Sequence, residues 1–215
     1  MYPVELWERK IGFAVPFKRL AIFELIAVPF LIMGQLWSGG VAEYWPIVFA
    51  SAIVLAGWIA RKESCAELGI IEARFVIIPG IILAGKFLMV SFAFDHDGFR
   101  GIFWGLVGYF GWAWLQQLLL NGFFVKRCRE AGLGVALTAC LAGLVSAMVH
   151  LPNPLLTPVA AVGGGAASYW FIRMRQKNLY LLALCHAVIA IALLHGTPVS
   201  WHHHFTVGSA FWRIR

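Results

Sequence analysis

Seven apolar runs, each 16 to 25 residues long, punctuate the sequence: Leu20–Trp37, Trp45–Ala60, Phe75–Phe94, Gly101–Val125, Leu133–Val149, Leu155–Ile172 and Leu179–Leu194. About 20 apolar residues in a helix cross the hydrocarbon layer of a bilayer, where a backbone must satisfy its own hydrogen bonds. Such runs do not suit a soluble domain. The composition agrees, with 61% apolar residues, 13% charged residues and a mean hydropathy of +0.80. The expected fold class is all-α, a polytopic membrane helical bundle of about seven transmembrane helices occupying residues 20–195. Residues 1–19, with Trp7, Arg9, Lys10, Phe13, Phe17, Lys18 and Arg19, mix apolar and basic groups and read as a segment lying on the membrane surface. The first run begins late and lacks a small-residue cleavage site, so it reads as an uncleaved first helix.

Basic residues fall in alternate connections: Arg9, Lys10, Lys18 and Arg19; Arg61, Lys62 and Arg74; Lys126, Arg127 and Arg129; Arg173, Arg175 and Lys177. The intervening connections hold Glu43, Asp95, Asp97 and Arg100, or, around Asn153, no charge. The positive-inside rule then places the amino terminus in the cytoplasm and the carboxyl terminus outside. It also accounts for the net charge of +7 through basic loops facing anionic lipid, with no need of nucleic acid. Four cysteines, Cys65, Cys128, Cys140 and Cys185, show no CxxC spacing, which disfavours a disulfide framework or structural zinc. No cofactor and no metal is expected. The outer tail, 196–215, carries His202-His203-His204 among Trp201, Phe205 and Trp212. Neighbouring side chains of an extended segment point apart and no carboxylate or cysteine stands close in sequence, so the tail reads as interfacial and pH-sensitive.

Polar residues inside the spans carry a desolvation cost and so mark function or helix-joining contacts. They are Glu24, Lys86, Gln116, Gln117, Asn121, His150 and His186. Glu24 and Lys86 are candidates to pair with each other or with backbone carbonyls. Gln117 and Asn121 are four residues apart and share a helical face, with Gln116 turned about 100° away. The midpoint between Gln117 and His150 falls in Gly132-Leu133-Gly134, a natural break between two helices. Each residue is then ~24 Å from the turn at 1.5 Å per residue, which puts them at one depth. His186 lies ~14 Å from the start of its span and reaches that depth only if its helix begins deeper or tilts. His195 fits about as well. Simpler roles stay open: the glutamines can join helices at roughly 1 kcal/mol each, His150 can cap a helix beside Pro152, and His186 can be a satisfied buried histidine.

The pattern Gln116-Gln117-Leu118-Leu119-Leu120-Asn121-Gly122, then Ser146-Ala147-Met148-Val149-His150 running into Leu151-Pro152-Asn153-Pro154, then His186-Ala187-Val188-Ile189-Ala190, resembles the CAAX-protease and bacteriocin-processing (CPBP) intramembrane proteases. The resemblance spans roughly residues 100–195. Family members carry Glu-Glu-x-x-x-Arg, then Phe-x-x-x-His, then His-x-x-x-Asn or Asp; order and spacing match here, while several side chains differ. The resemblance implies catalytic positions at Gln116, Gln117, His150 and His186, a substrate-binding position at Asn121, and a bacterial inner membrane location. In that family a glutamate and a histidine are thought to activate water. A glutamine amide cannot accept that proton. Glu, Glu and Arg have become Gln, Gln and Asn together, so an ion-pair network has become a neutral one, and Ala190 removes a further polar group. The implied function is a divergent or catalytically impaired peptidase acting on or binding membrane-associated peptides. The alternatives are a noncatalytic membrane scaffold or binding protein, and a small-solute or ion pathway.

Overall fold

The computed structural model describes residues 15–38, 45–62, 98–174, 177–202 and 206–208. The apolar run Phe75–Phe94 with Lys86, and the residues His203 and His204, lie outside the described residues. Among the described residues all regular structure is helical. The helices are α1 (Val15–Ser38), α2 (Trp45–Arg61), α3 (Gly98–Gln117), α4 (Lys126–Glu130), α5 (Val135–Val149), α6 (Leu156–Arg173), α7 (Leu179–Gly196) and α8 (Val199–His202). An eight-residue π-helical segment, Leu118–Val125, joins α3 to α4 without a break. Because α1 starts at Val15, the last residues of the expected surface segment belong to the first helix.

Local sequence sets the helix ends. Gly132, at φ +91°, lets α4 stop in a Schellman turn: the Leu133 N–H donates to the Cys128 carbonyl and the Gly132 N–H to that of Arg129, both at 3.0 Å. Asn178 caps α7 by accepting from the Leu181 N–H at 3.0 Å. Asn153 does the same for α6, its Oδ1 accepting from the N–H groups of Leu155 and Leu156 at 3.1 and 2.9 Å. At the far end of α6 the Lys177 ammonium donates to the carbonyls of Phe171, Ile172 and Met174, placing a positive charge at the negative pole of the helix.

α5 and α6 form a tight antiparallel hairpin because small residues meet along it. A Cβ on Gly143 would lie 2.5 Å from the Ala161 carbonyl oxygen, and one on Gly164 would lie 2.6 Å from Ser146 Cβ. Gly164→Val is therefore expected to push the hairpin apart and to cost about 1–3 kcal/mol, read as a lower melting temperature in detergent. An unchanged melt would mean that the contact yields freely. α3 and α7 form a second antiparallel pair, with Trp114 stacked on Tyr180 at 6.1 Å and Tyr109 edge-on to His186 at 6.0 Å. The π segment touches α5, α6 and α7, so it is the junction between the two pairs.

α1, α2 and α4 are held together by charge. Glu24 is fully buried, accepts from Arg61 Nη1 and Nη2 at 2.9 and 2.8 Å, and forms an ion pair with Arg127, whose Nε lies 2.8 Å away. Glu130 pairs with Arg61 Nε at 3.1 Å and with Arg127 Nη1 at 3.0 Å. Two carboxylates and two guanidiniums thus close a neutral network, with all four side chains at most 7% exposed. Gly57 makes room for it: a Cβ there would collide with Glu24 Oε1. Glu24 finds Arg61 and Arg127 as partners, while Lys86 lies outside the described residues. One sequence expectation is corrected here: the basic run at Lys126–Arg129, read as a connection, is helical, with Lys126 and Arg127 buried.

On the outside, Ile22, Phe23, Ile26 and Phe30 of α1, Val48, Phe49, Leu55 and Ile59 of α2, and Val162 of α6 are exposed, while several alanines and the charged Glu24, Lys126 and Arg127 are buried beside apolar side chains such as Phe123, Phe171 and Leu179. Among the described residues two stretches, Lys18–Trp37 and Leu179–Gly196, are long and apolar enough to cross a membrane; the helices at Val48–Arg61 and Val135–Val149 are apolar but shorter.

Candidate functional site

The polar face anticipated on α3 is assembled at the point where that helix widens. Gln117 is its last α-helical residue, and Asn121 sits in the π segment one turn on. Asn121 is fully buried and Gln117 is 5% exposed. The Asn121 amide donates from Nδ2 to Gln117 Oε1 at 2.5 Å, and the Gln117 amide donates from Nε2 to His186 Nδ1 at 3.1 Å. This short relay spans α3, the π segment and α7. It also sets the histidine's state: with Nδ1 accepting, a neutral imidazole carries its proton on Nε2 and presents it as a donor.

His150 is set the opposite way round. It closes α5 as the residue after Val149, and its Nδ1 lies 2.6 Å from the Ser146 carbonyl. A carbonyl only accepts, so Nδ1 carries the proton and Nε2 presents a lone pair. Neither Nε2 has a hydrogen-bond partner among the described residues. The structure thus offers one imidazole set as a donor and one set as an acceptor, each on a different antiparallel helix pair and each held by a neutral group.

Of the residues singled out from sequence, Gln117, Asn121 and His186 are joined directly, while His150 stands at the end of α5 with its ring bonded to the Ser146 carbonyl. His186, rather than His195, meets Gln117; His195 lies in the last turn of α7. At 1.5 Å per residue throughout, Gln117 would lie deeper than His186. Eight residues in a wider helix advance less, which draws Gln117 toward the depth of His186. Asn121 is fully buried and bonded to Gln117, an arrangement that fixes the Gln117 amide. Its Oδ1 is buried without a hydrogen-bond partner, as is Gln116 Oε1 on the neighbouring face.

Tyr109 and Asn153 are additions. Tyr109 lies eight residues before Gln117 with the fully buried Ala113 between them, so a spacing of four along one face connects all three. That spacing was available in the sequence. Asn153 carried no such sign, since a turn asparagine beside prolines is ordinary; here it is fully buried and ties the turn after His150 to α6 and to Thr206. Among the described residues no group of three or more His, Cys, Asp or Glu side chains could hold a metal ion. No protein-family model, no curated protein and no solved structure matches this chain.

Proposed function

We propose that this is a multi-pass membrane protein that binds the backbone of a membrane-associated peptide between His150 and His186, a divergent relative of the CPBP intramembrane proteases in which the peptide site persists without the usual carboxylate base. The observation that carries the reading is the opposed protonation of the two imidazoles. His186 Nε2–H suits a peptide carbonyl, His150 Nε2 suits a peptide N–H, and the Asn121–Gln117 relay holds the first in place. A neutral pair is matched to a neutral ligand, since an amide in a low-dielectric site needs hydrogen-bond partners and no countercharge.

The large apolar side chains that face outward support the membrane setting. Large apolar side chains exposed along α1, α2 and α6 would form patches far beyond what a soluble monomer tolerates, whereas lipid covers them without penalty. With the basic connections on one side, the bundle takes about seven spans with its amino terminus in the cytoplasm and its carboxyl terminus outside, in a bacterial inner membrane. A peptide segment broken at glycine or proline presents amides unsatisfied by its own helix, which are the groups this site can take.

A second reading, hydrolysis with His150 as general base, is favoured by one specific feature, its free Nε2. One experiment addresses both. A labelled hydrophobic peptide with a central Gly-Pro break is titrated against the protein in liposomes, and the products are analysed by mass spectrometry. Saturable binding without cleavage, weakened at least tenfold in His150→Ala, is the expected result. Cleavage that disappears in His150→Ala would instead establish the peptidase, and binding indifferent to that change would remove the site.

A further inference from the structure

The turn that follows His150 holds another segment of the chain in a manner that reads backbone. Asn153 Nδ2 donates to the Thr206 carbonyl at 3.2 Å, and the Gly208 N–H donates to the Leu151 carbonyl at 2.6 Å. A carbonyl and the N–H two residues later lie on one edge of an extended peptide, which is the pattern by which such a peptide is recognised along its main chain. Selectivity enters at a single position. Gly208 is buried at φ +57°, and a Cβ there would collide with the Leu36 carbonyl of α1. Any side chain at that place meets both a strained backbone and a helix end.

We propose that the Leu151–Asn153 turn is a subsite for an extended peptide segment ending in glycine, and that the chain's own Thr206–Gly208 segment fills it in cis as an autoinhibitory contact. This rests on the peptide-binding reading above and adds a regulator to it. The link to the main site is short. The His150 carbonyl accepts from the Asn153 N–H at 3.0 Å and from the Thr157 hydroxyl at 3.2 Å, so the residue that grips the tail is tied to the residue that presents the acceptor ring. Asn153 also caps α6, which keeps its amide aimed at the tail whether or not the tail is seated. A peptide arriving along this edge must displace residues 206–208 before it reaches His150.

The test uses the full chain in detergent and a peptide spanning residues 205–210. Limited proteolysis of the unaltered protein is followed with and without excess peptide. Tail cleavage accelerated at least fivefold by the peptide, and not by the same peptide carrying Gly208→Val, is the expected outcome; equal rates in all three conditions overturn the proposal. Within the chain, Gly208→Val should raise affinity for the added peptide at least tenfold, and adding Asn153→Ala should cancel that gain. Equal affinity of the unaltered and Gly208→Val proteins overturns it likewise. The Gly-Pro membrane peptide is measured in parallel to keep the two readings apart. If it binds in a His150-dependent way while the tail stays insensitive, the cis subsite falls alone. If it fails to bind any variant while the 205–210 peptide still releases the tail, the main-site reading falls and the Leu151–Asn153 subsite stands.

Discussion

Replacing Glu24 by alanine is expected to destabilise the protein by about 3–5 kcal/mol. The carboxylate is fully buried and touches both Arg61 and Arg127, so its loss removes one of the two carboxylates, Glu24 and Glu130, that balance these guanidiniums. An arginine cannot shed its proton to escape. The cost is one of exposure to an unpaired charge rather than of a missing attraction, and this distinguishes it from a cavity. Exchanging all four residues for apolar side chains of similar volume should be far milder than Glu24→Ala alone. Thermal unfolding in detergent reads both variants; equal destabilisation by the two would show that packing, not charge balance, governs the cluster.

Gln117→Leu is expected to abolish saturable peptide binding while costing only about 1–3 kcal/mol of stability. Leucine fills nearly the same space but orphans the Asn121 amide and frees His186 to change tautomer. The sharper comparison is Gln117→Glu, which is nearly isosteric. A carboxylate accepts where the amide donated, so His186 would have to place its proton on Nδ1, turning Nε2 from donor to acceptor. Two acceptors cannot grip a peptide carbonyl, and binding should fall more than tenfold despite the small change in shape. Binding retained in Gln117→Glu would show that the relay does not set the tautomer.

Much of the helical architecture was legible because lipid-length apolar runs leave few options: α2, α5, α6 and α7 start and stop within two residues of their runs. The Gln117–Asn121 face was legible too, from a spacing of four. Legibility failed where a residue's partner came from far along the chain. Glu24 finds Arg61 at a separation of 37 residues and Arg127 beyond that, and nothing in the periodicity of α1 names either. Arg61 and Arg127 looked like loop charges because basic residues at span ends usually are. The π segment was hidden for another reason: its residues, Leu118–Val125, are as apolar as those of any helix, and the widening is a property of hydrogen-bond register that composition does not encode.

That widened segment bears on how the site tolerates sequence change. Helical residues upstream of a one-residue deletion rotate by about 100° relative to those downstream. A deletion within residues 118–125 that left α4 anchored by Arg127 and Glu130 would therefore carry Gln116 into the place that Gln117 holds now. The doubled glutamine makes this stretch of the chain slip-tolerant: a change of length that would erase most sites would hand His186 the same amide from the next residue.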